Sequence, residues 1–451
     1  MIPPKPKARE GRGSVLHYLF AFRRDLLSAL PQRLYRAWMA EFRQGPIHSF
    51  VCNDPALVDL VLRERPQDFP KSNRLREGLA PLLGDSVFVT NGATWARQRR
   101  IIDPAFEGGR LREVFPHILA SARAATARLH DAPPEIDLEP QMSHAAADVI
   151  FRTLFSIPIE DRLAAQVFSA FRAHQDAQPI VNLAGLIPLP SWVPRFHSRR
   201  TRATAAEIRG LIADLVAARQ DEIAAGTAPE DLATKIMTTP DPLDGQCFSP
   251  PEMVDQVAIF FLAGHETSAS ALAWALWLLA ANPRWQDRVA DEARAVLEVP
   301  DFSAVSRLKL ARAVFREAMR LYPPVPMMVR EAACSETFRE RRVPKGAQII
   351  LSPWHLHRHN RLWDRPDEFD PARWETENGR DCARRAYIPF SAGARVCPGA
   401  GFAMIEGPLI LAMILREFTL TPTETPPVPV ARLTVRGRDG IRVRIAARPV
   451  P

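Results

Sequence analysis

The sequence predicts a mainly α protein with a small β region. Three observations carry this: apolar residues recur at helical spacing through most of the chain, alternating runs are few and short, and Pro/Gly punctuation separates the periodic stretches. Of 451 residues, 47% are apolar and 24% charged, the balance of a folded chain rather than a disordered or collagen-like one. The 42 prolines, about twice the usual share, favour short stiff connections. A single domain over residues 1–451 is expected.

Residues 1–40 read as a basic amphipathic extension, because residues 1–43 hold nine Lys/Arg against three Asp/Glu and so carry most of the net charge of +8. The apolar run at 14–22 is interrupted by His17 and followed by Arg23-Arg24 without a small-residue cleavage site, which argues against export. Two readings stay open: a solvated helix, or a weak peripheral foot on anionic membrane with Leu16, Leu19, Phe20, Leu26, Leu27 and Leu30 toward lipid. Helical periodicity then marks 54–65, 92–101, 109–130, 142–155, 161–174 and 201–225. It resumes at 284–297, 307–321 and 400–417. Strands are expected at 47–52, 348–352, 431–435 and 441–445, forming a small sheet that draws on both chain ends.

Between these lies Val257–Ala281, apolar enough to resemble a membrane span. Glu266 at its centre would cost a few kcal/mol in mid-bilayer, and the charge-free run after it falls short of the roughly 18–20 residues a span needs. The segment is therefore expected as a helix buried in protein. Its central Gly264-His265-Glu266-Thr267 then requires a cleft or water chain, since buried polar groups are costly unless paired. The five cysteines show no C-x-x-C pair, so neither a disulfide framework nor a zinc or ferredoxin-type cluster is suggested, and the odd count suits a reducing, cytoplasmic setting. With four Tyr and no basic-aromatic alternation, nucleic acid is not an expected partner.

The densest chemical signal is Phe390-Ser391-Ala392-Gly393-Ala394-Arg395-Val396-Cys397-Pro398-Gly399, followed by an apolar helix. A cysteine just before a helix meets free N–H groups and positive potential, which favour a thiolate. Pro398 at the first helical position would lose nothing by lacking an N–H, and Gly393 and Gly399 let the backbone turn closely. A flat group bound to sulfur would lie across such a loop. An isolated thiol there would instead be an inert buried cysteine.

These residues resemble the F-x-x-G-x-R-x-C-x-G haem-binding loop of the cytochrome P-450 family, matching at Phe390, Gly393, Arg395, Cys397 and Gly399. The resemblance extends in family order through Trp95-Ala96-Arg97-Gln98-Arg99, Ala263-Gly264-His265-Glu266-Thr267, Glu317-Ala318-Met319-Arg320 and Pro371-Ala372-Arg373-Trp374. E-x-x-R alone would be an ordinary surface ion pair. Five motifs in order over residues 95–399 are not coincidence.

The resemblance implies the cytochrome P-450 fold of the bacterial soluble type, with haem b between a long central helix and the helix after the Cys loop. It makes Cys397 the iron ligand. Trp95, Arg99, Arg395 and Arg330 become propionate contacts, while Glu317, Arg320 and Arg373 form a structural charge network. Gly264 would open the backbone ladder to leave room for dioxygen, Thr267 would steady bound oxygen, and Glu266 would carry protons inward.

The implied reaction is insertion of one oxygen atom into a lipophilic substrate, by hydroxylation or epoxidation. Pocket walls are expected from 71–91, 170–200, Phe260-Phe261, Val325–Val329 and 433–440, with Gln178–Pro194 as a lid or a membrane contact. No fused reductase is expected, so electrons would come from a separate ferredoxin or flavodoxin with an NAD(P)H-dependent reductase. That donor would be steered by Arg97, Arg100, Arg384 and Arg385. A monomer is expected. A peroxide-driven haem enzyme and a haem-based sensor are the competing classes; Glu266-Thr267 argues against the first.

Overall fold

The computed structural model describes residues 1–9, 25–44, 47–177 and 197–449. Its longer helices are Asn73–Leu83 (α1), Gly92–Ile102 (α2), Gly108–His130 (α3), Leu138–Phe155 (α4), Arg162–Ala177 (α5) and Arg199–Ala225 (α6). Leu232–Thr238 (α7), Pro250–Ala280 (α8), Pro283–Val296 (α9), Lys309–Leu321 (α10), Glu377–Arg385 (α11) and Ala400–Glu417 (α12) follow. Local chemistry sets their ends. The Ser198 hydroxyl accepts the Thr201 N–H at 3.0 Å to start α6, and Gly226 ends it in the left-handed region at φ +70°. Asp231 caps α7 through Thr234 N–H at 3.0 Å, and Pro283 opens α9 where its missing N–H costs nothing.

Two compact units divide the chain. The first comprises residues 1–70, 122–143 and 267–451; the second comprises 71–121 and 144–266. In the first, Met39–Gln44 (β1), Ile47–Cys52 (β2), Gln348–Leu351 (β7) and Met328–Glu331 (β4) form one sheet in the order β1-β2-β7-β4. Only β2 and β7 run parallel, with Phe50 opposite Ile349. Phe50, Val61, Leu62, Phe338, Ile349 and Trp363 pack into a core on this sheet. Glu135–Asp137 (β3), Arg442–Ala447 (β11) and Phe418–Pro422 (β8) form a second sheet. Glu336–Phe338 (β5) pairs Arg341–Val343 (β6), and Pro429–Ala431 (β9) pairs Val435–Gly437 (β10). The expected strand at 431–435 is thus the turn of a hairpin, closed by Arg432 N–H on the Thr434 carbonyl at 2.9 Å. The single small sheet is replaced by several: the expected strands 47–52 and 348–352 do pair, as β2 and β7, but β11 at the chain end pairs β3 and β8 instead.

The amino terminus also departs from expectation. Phe369 N–H donates to the Met1 carbonyl at 3.0 Å, the Tyr322 hydroxyl donates to the Pro4 carbonyl at 2.6 Å, and Lys5 pairs with Asp367. Asp25 caps Leu26–Ala29 and also accepts the Ala431 N–H. Leu27 and Leu30 are buried within the fold, so neither faces lipid. Leu26 is half-buried, while residues 10–24, which hold Leu16, Leu19 and Phe20, and Gln178–Pro194 lie outside the described residues. Among the described residues no helix is long and apolar enough to cross a membrane.

In the second unit, the Phe261 ring packs on Phe151 and Phe171, with centroids 4.4 and 4.9 Å apart. A β-carbon on Gly264 would lie 2.9 Å from Ile150 Cγ1. The ladder of α8 runs unbroken past Gly264, and the space the glycine frees is taken by Ile150 rather than by an opening in the helix.

Candidate functional site

From Val257 to Ala280, α8 is buried except at Phe260, Ala263, Gly264 and Thr267. Spaced i, i+3, i+4 and i+7, these four form one accessible stripe on an otherwise enclosed helix. Phe260, not Phe261, lies on it. Glu266 is buried beside the stripe. His265 points away: Nδ1–H donates to the Phe261 carbonyl at 2.7 Å and Nε2 accepts from the Gln175 amide at 3.1 Å, a pairing that fixes the neutral tautomer.

The Cys loop closes on itself. Cys397 N–H donates to the Phe390 carbonyl at 2.9 Å and Val396 N–H to Gly393 at 3.0 Å. Phe390 is half-buried, and the Gly393–Arg395 turn presents Cys397 as an exposed residue. Gly399 is the N-cap of α12, which places Pro398 one position before the cap and not at the first helical position. A β-carbon on Gly399 would sit 3.9 Å from the Cys397 sulfur, so the thiol does lie at the helix start.

Arg330, on β4, is 5% exposed, and among the described residues its guanidinium donates only to the Val329 carbonyl, at 3.0 Å. Among the described residues it has no carboxylate partner, and burial pulls the guanidinium down to about 10. A buried cation of this kind calls for an anion. An exposed thiol at a helix start and an unpaired buried cation, both within the first unit, suit a haem whose iron takes sulfur and whose propionates take arginine.

Behind them, Arg320 grips Glu317 bidentately at 2.8 and 2.9 Å, and Arg373 reaches the same carboxylate at 3.2 Å. All three are buried. Arg320 also donates to the carbonyls of His357, Pro366 and Glu368 at 2.9, 2.6 and 2.8 Å. His357 Nε2 in turn accepts the Ile388 N–H at 2.9 Å, tying the network to the segment that leads into the Cys loop. Burial holds the His357 imidazole down to about 3, hence neutral. This histidine was not singled out by sequence reading; its signal is a His directly before a buried Arg358 in a stretch with three histidines.

In the second unit, Trp95 and Arg99 lie one turn apart on α2, with Arg99 reaching Asp103 at 2.7 Å. Arg97 pairs with Glu252 at 2.8 Å and Arg100 with Asp241 at 2.6 Å. Arg384 and Arg385 share Asp381. Arg97 and Arg100 are each matched by a carboxylate and Arg384 and Arg385 share one, so the four do not amount to a patch of about four free charges.

The cysteine loop, the accessible helix stripe and the buried Glu-Arg-Arg network define a haem-thiolate protein, and the comparisons agree. A family model described as Cytochrome P450 matches residues 13–442, and the chain belongs to that family. It is 30% identical over 432 residues to cyclooctatin synthase of Streptomyces melanosporofaciens, covering 93% of this chain and 91% of that one. It is 31% identical over 410 residues to cyclooctat-9-en-7-ol 5-monooxygenase of the same organism, covering 90% and 87%. The crystal structure of the cytochrome P450DA heme domain shares the fold, with a TM-score of 0.82 at 24% identity over 99% of this chain and 98% of that one.

Proposed function

We propose that this protein is a haem-dependent monooxygenase that inserts one oxygen atom of dioxygen into a lipophilic, largely hydrocarbon substrate and draws electrons from a separate protein. The observation that carries the reading is the accessible stripe on α8, which sets Thr267 next to buried Glu266 on a helix otherwise sealed in apolar side chains. Haem, when bound, supplies the oxygen-activating chemistry. The overall change takes substrate, dioxygen, two electrons and two protons to oxygenated product and water.

The chain's residues do the rest. Cys397 would hold the iron through a thiolate favoured by the start of α12, a ligand whose electron density promotes O–O cleavage. Arg330, Arg395, Trp95 and Arg99 would take the propionates. Thr267 would orient the oxygen by its hydroxyl, and Glu266, buried beside it, would move protons to that hydroxyl. Val325 and Leu433, both exposed, would offer apolar contact to substrate. One relative, cyclooctat-9-en-7-ol 5-monooxygenase, is named for oxygenation of an unsaturated ring alcohol, which supports a substrate of that character here.

The test has two arms. Cys397→His should abolish the strongly red-shifted carbon monoxide band of a thiolate-bound ferrous haem; survival of that band would remove Cys397 as the ligand. Lipophilic compounds are then screened for the optical shift caused by displacing iron-bound water, and those that bind are turned over with a surrogate redox pair. Binding without any oxygenated product would reject the monooxygenase reading.

A further inference from the structure

Along α8 the accessible stripe of Phe260, Ala263 and Gly264 stops one turn earlier, at Gln256, which lies on the same helical face and is fully buried. The loop after α1 lies on it. Gln256 Oε1 accepts the Val87 N–H at 2.9 Å, and the neighbouring Asp255 accepts the Asp85 N–H at 2.8 Å. Gly84 permits this approach, because its φ is +49° and a β-carbon there would collide with the Asp255 carboxylate. Two more helices hold the same loop. Arg209 of α6 donates to the Leu82 carbonyl at 3.1 Å while its guanidinium lies 2.7 Å from the Asp255 carboxylate, and Gln98 of α2 donates to the Asp85 carbonyl at 2.6 Å.

Ordinary loop packing does not look like this. Ser86 Oγ and Gln256 Nε2, at the heart of the contact, are both enclosed and have no partner among the described residues, whereas lifting the loop would hydrate them. Asp255, Gln256 and Arg209 hold the loop down against that cost. What the loop carries is apolar: Val87 and Val89 are buried, and between them Phe88 is left 37% exposed. Lys71 steadies the Phe88 ring, its Nζ lying 4.2 Å from the ring centroid.

We propose that Asp255, Gln256 and Arg209 form a clasp that fixes the 84–88 loop as an end wall of the substrate cavity, beyond Phe260 on α8, and so limits how far a lipophilic substrate extends. The inference rests on the monooxygenase reading above and adds a selection by length. Compact, ring-bearing apolar molecules are accepted, and long extended chains are turned away while the loop is held. Phe88 is the face of the wall. The three clasp residues touch no substrate atom; they act through Phe88 and are positioning residues.

The experiment uses the haem-loaded full chain as wild type, Gln256→Met, Asp255→Ala, Phe88→Ala and the Gln256→Met/Phe88→Ala double variant. Gln256→Met keeps the side-chain length and removes the acceptor. Three azoles that ligate haem iron serve as probes, namely imidazole, phenylimidazole and N-dodecylimidazole, each titrated by the shift of the haem absorption band. Both clasp variants and Phe88→Ala should bind N-dodecylimidazole severalfold more tightly relative to phenylimidazole, with imidazole affinity unchanged. The double variant should add nothing to Phe88→Ala, because the clasp acts through that ring. Hydrogen exchange at residues 84–88 should quicken in Gln256→Met and Asp255→Ala, with haem content and the carbon monoxide band as in wild type. Unchanged azole selectivity, additive effects in the double variant, or wild-type exchange in both clasp variants each overturns the proposal. Should Gln256→Met and Asp255→Ala fail to accumulate, Arg209→Gln and Asp255→Asn, which keeps an acceptor for the Asp85 N–H, carry the same measurements, and wild-type selectivity in both is equally fatal. Azole binding needs no turnover, so a protein that binds compounds without oxygenating them rejects the monooxygenase reading, while a flat azole series rejects the clasp alone.

Discussion

Gly393 occupies a place in the Cys loop where a β-carbon would lie 2.8 Å from the Leu62 carbonyl carbon and 3.1 Å from Arg63 Cα, at a backbone φ of +65°. Both facts demand glycine, one by sterics and one by conformation. The obstacle is backbone, which cannot swing aside as a flexible side chain would. Gly393→Ala is therefore expected to cost about 3 kcal/mol or more, combining left-handed strain of roughly 1–3 kcal/mol with displacement of the loop. The haem-to-protein ratio and the unfolding midpoint of purified variant check this; a fully loaded, wild-type-stable Gly393→Ala would contradict it.

Two residues earlier the sign reverses. Ser391 is not glycine yet adopts φ +63°, and its buried hydroxyl has no partner among the described residues. Ser391→Gly relieves the left-handed strain and removes the orphaned oxygen, against about 0.4–1 kcal/mol of added unfolded-state entropy. A net gain of about 1 kcal/mol is expected, read as a higher denaturation midpoint with the carbon monoxide band unchanged. A loss of stability would show that the hydroxyl does useful work in the loop.

The Glu317 network gives the largest single-site effect. Removing the carboxylate by Glu317→Gln leaves Arg320 and Arg373 buried with one fewer charge to meet, a break that typically costs about 3–5 kcal/mol. Arg320→Lys should fail nearly as badly, because lysine cannot span the three carbonyls and the carboxylate that Arg320 reaches. Soluble yield and haem incorporation of both variants are the measurements. Near-normal loading of Arg320→Lys would mean that the fork geometry is dispensable.

Much of this was legible beforehand, for reasons that differ by element. The helices at 92–101, 201–225 and 400–417 emerge within a residue or two because their apolar spacing is sustained over several turns. Strand 431–435 failed because a short apolar run does not reveal a turn within it, and Asn73–Leu83 went unread as a helix because Gly78 and Pro81 interrupt its pattern. Cys397, Glu317 and Arg320 were visible because their spacings are local motifs. His357 was not, since what distinguishes it is a long-range partner, the Ile388 N–H. The arginine patch failed similarly: Arg97, Arg100, Arg384 and Arg385 are countable in sequence, but the carboxylates opposite Arg97 and Arg100 lie about 140–155 residues away along the chain.

Thr267→Ala tests the accessible stripe. Thr267 is only half-buried, so losing its hydroxyl leaves packing nearly intact, and the binding-induced optical shift should keep its wild-type titration curve. Peroxide released per electron pair should rise severalfold if, as proposed, the hydroxyl acts after substrate has bound. Equal loss of binding and coupling would instead mark Thr267 as part of the scaffold.

Arg330 offers a test whose sign depends on what is bound. Its guanidinium is pulled down to about 10 by burial, below its ordinary value, so the unfolded chain holds that proton more tightly than the fold does. At neutral pH the charge therefore weighs against folding, and stability rises as pH climbs from about 10 toward the ordinary arginine value. Arg330→Met removes the charge and keeps an apolar stem, so haem-depleted protein should gain roughly 2–3 kcal/mol at pH 7, one pKa unit being worth about 1.4 kcal/mol. Loaded protein should respond in the opposite direction, because a bound carboxylate would turn the same cation into a stabilising partner whose removal speeds haem loss. Denaturant unfolding of haem-depleted samples and the rate of haem transfer to an excess of apo-myoglobin measure the two arms. Opposite signs are required; a variant that is less stable in both states would mean that Arg330 serves the fold and holds no anion.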